Sequence, residues 1–244
     1  MKGATFVAPF YCLYNPSIMK KYAVIVAGGS GSRMGSSTPK QFLSIRGLSL
    51  LGYAMQAFLR AYDDLEIILV LPNDSLEKGE ALIEQLGAGN RVRVTTGGET
   101  RFHSVQNGLA MVSDPSIVFV HDGVRSLVST DLIQRCYVQT LEKGSAIPAV
   151  AATDSIRIVQ GHGHTVADRN AVRIIQTPQT FQSSLLLPAF QSEYKTSFTD
   201  EATVVEAAGN PVYLIEGEYE NIKITRPSDL MIAEKILQER ALSL

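Results

Sequence analysis

Three short apolar runs constrain this chain more than any other feature: residues 22–27 (YAVIVA), 66–71 (EIILVL) and 116–121 (SIVFVH). Each is rich in β-branched residues and lacks the alternation of a half-wet strand. Such runs predict strands buried on both faces, as in a parallel sheet covered by helices. Helical patterns fall between them. Leu50, Ala54 and Phe58, with Leu51, Met55 and Leu59, repeat at i, i+4 and i+8 and predict an apolar stripe. Residues 75–86 read as a helix closed by Gly87, 102–112 as another, and 131–143 as a third ended by Gly144. Residues 91–95 add a strand that stops at Gly97-Gly98. Strands alternating with helices predict an α/β fold with a mostly parallel sheet.

The pattern changes after Ala146. Residues 155–159 and 165–167 are extended pieces around Gly161-His162-Gly163-His164 and predict a hairpin with a flexible tip. A two-stranded ribbon is marginal alone, so a projecting one calls for a packing partner, most simply another subunit. His162 and His164 sit at that tip, where solvation is a better account than metal ligation. Residues 172–176 and 211–215 read as returning strands. The last helix begins near Pro227, where a missing N–H is tolerated, and carries Leu230, Ala233 and Leu237 as its stripe.

Composition narrows the function. The 244 residues are 45% apolar, which suits one large globular domain. Twenty-two Lys and Arg against 24 Asp and Glu give a net charge of −2, so a dedicated nucleic-acid binder is not expected. Cys12 and Cys136 cannot make a disulfide framework and suit a reducing, cytoplasmic setting. No apolar run reaches the roughly 18–20 residues needed to span a bilayer. Residues 1–20 lack a small-x-small cleavage site and are expected to be a disordered tail or an upstream-start extension. Residues 21–244 are expected to form a single domain, with an arm at about 151–170.

The chemistry concentrates in AGGSGSRMGSSTPKQF, residues 27–42, directly after the first buried strand. In open α/β sheets that strand end is where ligands bind. Glycines there let the backbone approach a ligand and offer N–H donors to an anion. A dinucleotide site would need tighter glycine spacing and an acidic residue about 20 positions on. A P-loop would need Lys-Ser or Lys-Thr straight after its last glycine, whereas Gly35 is followed by Ser36. A nucleotidyltransferase loop needs backbone donors together with cations, here Arg33 and Lys40. A plain solvated loop is the remaining account of the glycines alone.

Seven ordered motifs carry a resemblance: AGGSGSRMGSSTPKQF, GGETRFHSVQNGL (97–109), HDGVR (121–125), TDSIR (153–157), DRNAVRIIQTPQTF (168–181), TDEATVVEAAG (199–209) and ENIKITRPSDL (220–230). Together they resemble the 2-C-methyl-D-erythritol 4-phosphate cytidylyltransferase family of the non-mevalonate isoprenoid pathway, from about Tyr22 to Leu237. The resemblance implies a Rossmann-like sheet with a dimerising β-arm. It also implies transfer of CMP from CTP to a sugar-alcohol phosphate with release of pyrophosphate and Mg²⁺ as cofactor. The acceptor phosphate is itself the nucleophile, so the protein supplies positioning and charge.

By resemblance, Arg33 and Lys40 stabilise the transition state and the leaving pyrophosphate. Ala27, Gly28, Gly29, Ser30 and Gly31 line the triphosphate. Gly97, Gly98, Arg101, Ser104 and Gly123 help hold the nucleotide and read cytosine. Asp122, at a strand end, is the Mg²⁺ ligand; such sites take one or two carboxylates plus phosphates. Glu220 is a weaker second acidic candidate. Arg125, Ser155, Arg169, Thr177 and Lys223 hold the acceptor, with Arg169 and Lys223 positioning it for attack. Ser155 and Arg169 would serve the partner's site across a homodimer.

Some positions depart from the pattern. The family usually has HDAARP where this chain has HDGVRS, and DT where it has Asp154-Ser155. The arm also reads as short. A sister activity, ribitol-5-phosphate cytidylyltransferase, shares loop and mechanism and is the alternative. A non-catalytic nucleotide-binding module would be expected to lose Arg33 or Lys40; both are present.

Overall fold

The computed structural model describes residues 19–28 and 38–242. Residues 1–18 of the expected tail, and Gly29, Ser30, Gly31 and Arg33 of the glycine loop, lie outside the described residues; Met19 is buried and Lys20 opens the first strand.

The first half alternates as the apolar runs predict. In order come β1 (Lys20–Val26), β2 (Ser44–Ile45), β3 (Leu48–Ser49), α1 (Leu50–Ala61), β4 (Leu65–Leu71), α2 (Leu76–Gln85), β5 (Val92–Thr96), α3 (Arg101–Leu109), β6 (Ser116–Asp122) and α4 (Thr130–Lys143). Strands β5, β4, β1 and β6 lie side by side in that order, all parallel. Their residues are split by the pleat between two cores. On one face Ala23, Ile25, Ile67, Leu69 and Phe119 meet Leu51, Met55 and Phe58 of α1 and Leu132, Ile133 and Cys136 of α4. On the other, Tyr22, Val24, Ile68, Val70, Val118 and Val120 meet Phe102, Val105 and Leu109 of α3. A run that is apolar at every position is what two covered faces require.

Local chemistry sets the helix ends. Ser49 Oγ accepts the Gly52 N–H at 3.1 Å to open α1, and Ser129 Oγ accepts the Leu132 N–H at 2.9 Å to open α4. Gly144, at φ 86°, closes α4 in the left-handed region, as the sequence predicts.

The second half is β7 (Ser145–Ala151), β8 (Ile156–Gln160), β9 (Gly163–Ala167), β10 (Arg173–Ile175), β11 (Gln179–Gln182), α5 (Ser183–Ala189), α6 (Glu201–Ala207), β12 (Leu214–Glu216) and α7 (Pro227–Leu242). Here the sheet becomes mixed. β11 runs antiparallel between β6 and β7, β10 continues antiparallel along β7, and β12 pairs parallel with β7. Sequence reasoning does not predict β7, because Pro148 sits in its middle and proline cannot donate to a ladder. The structure accommodates it through a break between β10 and β11. Gln176 N–H donates to Pro148 O at 2.8 Å, so the carbonyl is used and no N–H is missed. That break also brings Thr177 Oγ1 within 3.0 Å of the Asp122 N–H at the end of β6, while the Gln176 side chain bonds to the Glu218 backbone.

The predicted hairpin is present as β8 and β9, pairing Ile156 with Ala167 through Gln160 with Gly163. Its turn is tighter than expected: Gly161, at φ 57°, and His162 alone connect the strands. Among the described residues no helix is long and apolar enough to cross a membrane.

Candidate active site

The carboxyl ends of β1 and β6 open into a cavity of about 250 Å³. Ala27, Gly28, Lys40, Gln41, Gly98, Arg101, Ser104, Asp122 and Lys223 line it. Segments far apart in sequence are tied together at this edge. Ala27 N–H donates to Val70 O at 3.0 Å, Gly123 N–H to Val26 O at 2.9 Å and Gly97 N–H to Leu71 O at 2.8 Å. Gln41 is buried and its Nε2 donates to Ala27 O at 2.8 Å, fixing the point where the glycine loop leaves β1. Ser104 Oγ accepts the Gly98 N–H at 3.1 Å. A Cβ on Gly98 would lie 2.5 Å from that of His103, and one on Gly123 would lie 2.9 Å from that of Ala27. Both turns therefore exclude larger residues without a local shift.

Asp122 is the centre of the site. Arg101 Nε and Nη2 donate to its Oδ1 at 3.2 and 3.1 Å. Lys223 Nζ lies 2.8 Å from Oδ2, and Arg125 Nε lies 3.8 Å from the same oxygen. Burial alone would raise the Asp122 carboxyl, but Arg101, Lys223 and Arg125 outweigh it and hold it well below the usual carboxylate range. Arg101 also grips Glu201: Nη1 donates to Oε1, and Nη2 to Oε2 at 3.2 Å. Burial opposes the Arg101 charge, and the two carboxylates restore it and secure it.

Beneath Asp122 lies a polar relay. His121 is fully buried, and burial pushes its pKa down to about 4, so the ring is neutral at pH 7. Its Nε2 lies 3.1 Å from the Arg125 carbonyl, which can only accept, so the proton sits on Nε2. Nδ1 then accepts from Thr177 Oγ1 at 3.1 Å, and the same hydroxyl accepts the Asp122 N–H at 3.0 Å. The chain of bonds fixes the backbone that aims Asp122.

The residues nominated by the motifs thus fall into separate places. Ala27, Gly28, Lys40, Gly98, Arg101, Ser104, Asp122 and Lys223 share the cavity wall, and Gly97 and Gly123 hold the turns beside it. Arg125 does not line the cavity. It is buried, and it donates to Asn221 O at 2.7 Å and Ile175 O at 3.3 Å. Thr177 is buried in the relay. Ser155 and Arg169 are exposed at the base of the hairpin, where Arg169 Nη1 donates to Thr153 O at 3.1 Å. Glu220 pairs with Arg240 at 2.7 Å, outside the cavity. Sequence reasoning assigns no role to Gln41 or Glu201. Glu201 stands at the first turn of a helix, where an acidic residue ordinarily reads as a solvated partner of the helix dipole. Its real partner is 100 residues away.

Comparison with known proteins agrees with this geometry. The sequence profile of the 2-C-methyl-D-erythritol 4-phosphate cytidylyltransferase family matches residues 21–239. The chain belongs to this family. It is 46% identical over 220 residues to a protein of that name from Bacteroides thetaiotaomicron, covering 90% of this chain and all of the relative. Identity to the Bacteroides fragilis protein of the same name is 45% over 219 residues, with the same coverage. The fold is similar to the crystal structure of 4-diphosphocytidyl-2C-methyl-D-erythritol synthase from Anaerococcus prevotii, with a TM-score of 0.77 and 29% identity over 90% of this chain and 96% of that one. The Thermus thermophilus cytidylyltransferase gives a TM-score of 0.71 at 32% identity, covering 90% of this chain and 100% of that one.

Proposed function

We propose that this protein transfers CMP from CTP to 2-C-methyl-D-erythritol 4-phosphate. The products are pyrophosphate and 4-diphosphocytidyl-2-C-methyl-D-erythritol, a step in isoprenoid precursor synthesis. The observation that carries this reading is the charge arrangement at Asp122. A carboxylate kept ionised by Arg101 and Lys223 shares a cavity with Lys40 and the Ala27–Gly28 backbone, at the sheet edge where α/β folds hold ligands.

The chemistry asks for little more. An oxygen of the acceptor phosphate attacks the α-phosphorus of CTP, a new P–O bond forms, and the bond to the β-phosphate oxygen breaks. Lys40, with Arg33, balances the charge gathering on the phosphoryl oxygens and on departing pyrophosphate. Lys223 sits on the rim, 44% exposed, within reach of an incoming acceptor phosphate. No protein nucleophile is required. Asp122 would be the residue to hold a magnesium ion bound with the triphosphate, since it lines the cavity and Arg101, Lys223 and Arg125 keep it ionised. Bound there, Mg²⁺ supplies neutralisation of phosphate charge. Arg125 and Thr177 act in this reading by fixing Asp122.

Ser155 and Arg169 belong to the arm, away from their own cavity. We infer that they complete the site of a second copy in a homodimer, a reading supported by exposed Val159 and Val166 on β8 and β9. A cytoplasmic setting is part of the same reading and is supported by Cys136, a buried free thiol.

Pyrophosphate release with CTP and Mg²⁺ tests the assignment. Release is expected with 2-C-methyl-D-erythritol 4-phosphate and not with ribitol 5-phosphate. Release with ribitol 5-phosphate alone would move the protein to the sister activity, and release with neither would reject the catalytic reading.

A further inference from the structure

Glu201 is 1% exposed and does not line the cavity, yet it is held with unusual care. It opens α6, whose cap is reciprocal: Asp200 Oδ1 accepts the Thr203 N–H at 3.0 Å and Thr203 Oγ1 lies 3.3 Å from the Asp200 N–H. Buried Gln179 of β11 then brackets the residue. Its Nε2 donates to Asp200 Oδ2 at 2.8 Å, and its Oε1 accepts the Ala202 N–H at 2.8 Å. Gln179 pairs in the sheet with Val120, two residues before Asp122. The sheet thus carries both carboxylates on one frame.

Between them the Arg101 guanidinium is a shared plate. One edge faces both oxygens of Glu201, and the other puts two N–H groups on Asp122 Oδ1. Four of its five N–H donors are thereby assigned, which leaves little with which to read a base. Asp122 Oδ1 is occupied, and Oδ2 is the oxygen left for Lys223 and the cavity. Burying a carboxylate against arginine is a poor way to gain stability, since an apolar pair of the same size does as well or better. Geometry is what such a pair secures.

We propose that Glu201 is a positioning residue: it clamps Arg101 so that Asp122 keeps Oδ1 covered and offers Oδ2 to the cation of the bound nucleotide. The inference rests on Asp122 being the point where the cation and triphosphate are held. Without Glu201 the guanidinium, 30% exposed, is free to turn toward ligand phosphates and take Asp122 with it.

The test is Glu201→Gln and Glu201→Asp in the full chain. Affinity for CTP in the presence of Mn²⁺ is measured by calorimetry with no acceptor, together with melting temperature, kcat and the Mg²⁺ activation midpoint. For Glu201→Gln the Mn²⁺-dependent affinity and the activation midpoint are expected to worsen by about 10–100-fold, as for other groups that orient metal-binding carboxylates. Glu201→Asp, which keeps the charge with a shorter reach, should recover part of the loss. A folded Glu201→Gln with wild-type Mn²⁺-dependent CTP affinity overturns the clamp. If that variant fails to fold, Glu201→Asp decides: wild-type affinity overturns the proposal, and a several-fold loss at wild-type melting temperature upholds it. A wild-type protein that binds no CTP with Mn²⁺ would instead overturn the functional reading beneath it.

Discussion

The Asp122 cluster and the β8–β9 arm are built on opposite principles. At Asp122, charged and polar groups are buried and nearly every one is answered from within the chain: Arg101 by two carboxylates, Arg125 by two carbonyls, His121 by Thr177 and a carbonyl. On the arm, apolar groups are left in water. Val159 is 73% exposed, Val166 71% and Ile158 50%. The ladder puts Val159 and Val166 on one side of the ribbon and Ile158 on the other. A two-stranded ribbon with apolar residues on both sides has no core of its own. The cluster draws most of its partners from within one chain, with the buried Arg125 Nε left without a hydrogen bond, and the arm leaves its apolar groups exposed.

The largest expected effect comes from breaking the cluster. Asp122→Asn removes the charge that balances Arg125 and Lys223. Leaving a buried pair half-made costs about 3–5 kcal/mol. The fall here should sit near the lower figure, because Arg101 keeps Glu201 and Lys223 can turn to water. Urea midpoints, converted with the measured slope, check it. A loss under about 1 kcal/mol would mean that the cluster is looser than its distances imply.

Lys40→Ala separates charge placed for chemistry from charge placed for stability. Lys40 lines the cavity from a short 3-10 turn at the far end of the glycine loop and is only partly buried. Removing one group that stabilises transition-state charge costs about 10²–10³-fold in kcat. The melting temperature and the CTP affinity should change little, because the contribution is made chiefly in the transition state. Steady-state kinetics beside a melting curve distinguish the two. A weakened KM at normal kcat would reassign Lys40 to binding.

This contrast also explains what can be read in advance. The strands β1, β4 and β6 are legible because burial on both faces leaves a continuous apolar run, and α1 because twelve residues suffice to show its stripe. The helices α5 and α6 have seven residues each, under two turns, and a 3.6-residue period cannot declare itself there. β7 is hidden by Pro148, whose neighbours make it tolerable only once β10 and β11 are in place. At the site, residues adjacent in a motif are legible and their partners are not. The resemblance assigns Arg125 to the acceptor phosphate, and nothing in the sequence announces that Asn221 and Ile175, 96 and 50 residues away, bring their carbonyls to it. The resemblance assigns Arg101 to the base, and its bonds to Glu201 from the other half of the chain are equally silent in the sequence. Local spacing names the charged groups, and only the fold decides what neutralises them.

The smallest energetic effect, and the sharpest test of the comparison, belongs to the arm. Val159→Cys in a Cys12→Ser background places a thiol on the exposed ribbon while keeping it apolar. Cys136 serves as an internal control, since it is fully buried and its thiol is pushed up to about 12, so almost none of it is the reactive thiolate at pH 8. A surface substitution without local partners should change the stability of a single chain by no more than about 0.5 kcal/mol. Labelling with a thiol reagent should nevertheless depend on concentration. If the proposed homodimer forms, the introduced thiol is covered and reacts slowly, whereas on dilution to the 26.5 kDa chain it reacts like a free thiol and Cys136 stays silent. Under that proposal loss of protection should coincide with loss of acceptor use, because Ser155 and Arg169 would leave the partner's site at the same step while the chain's own Lys40 and Asp122 remain. Free-thiol reactivity at every concentration, in a protein that still turns over, would show that the arm covers nothing and that each chain's cavity works alone.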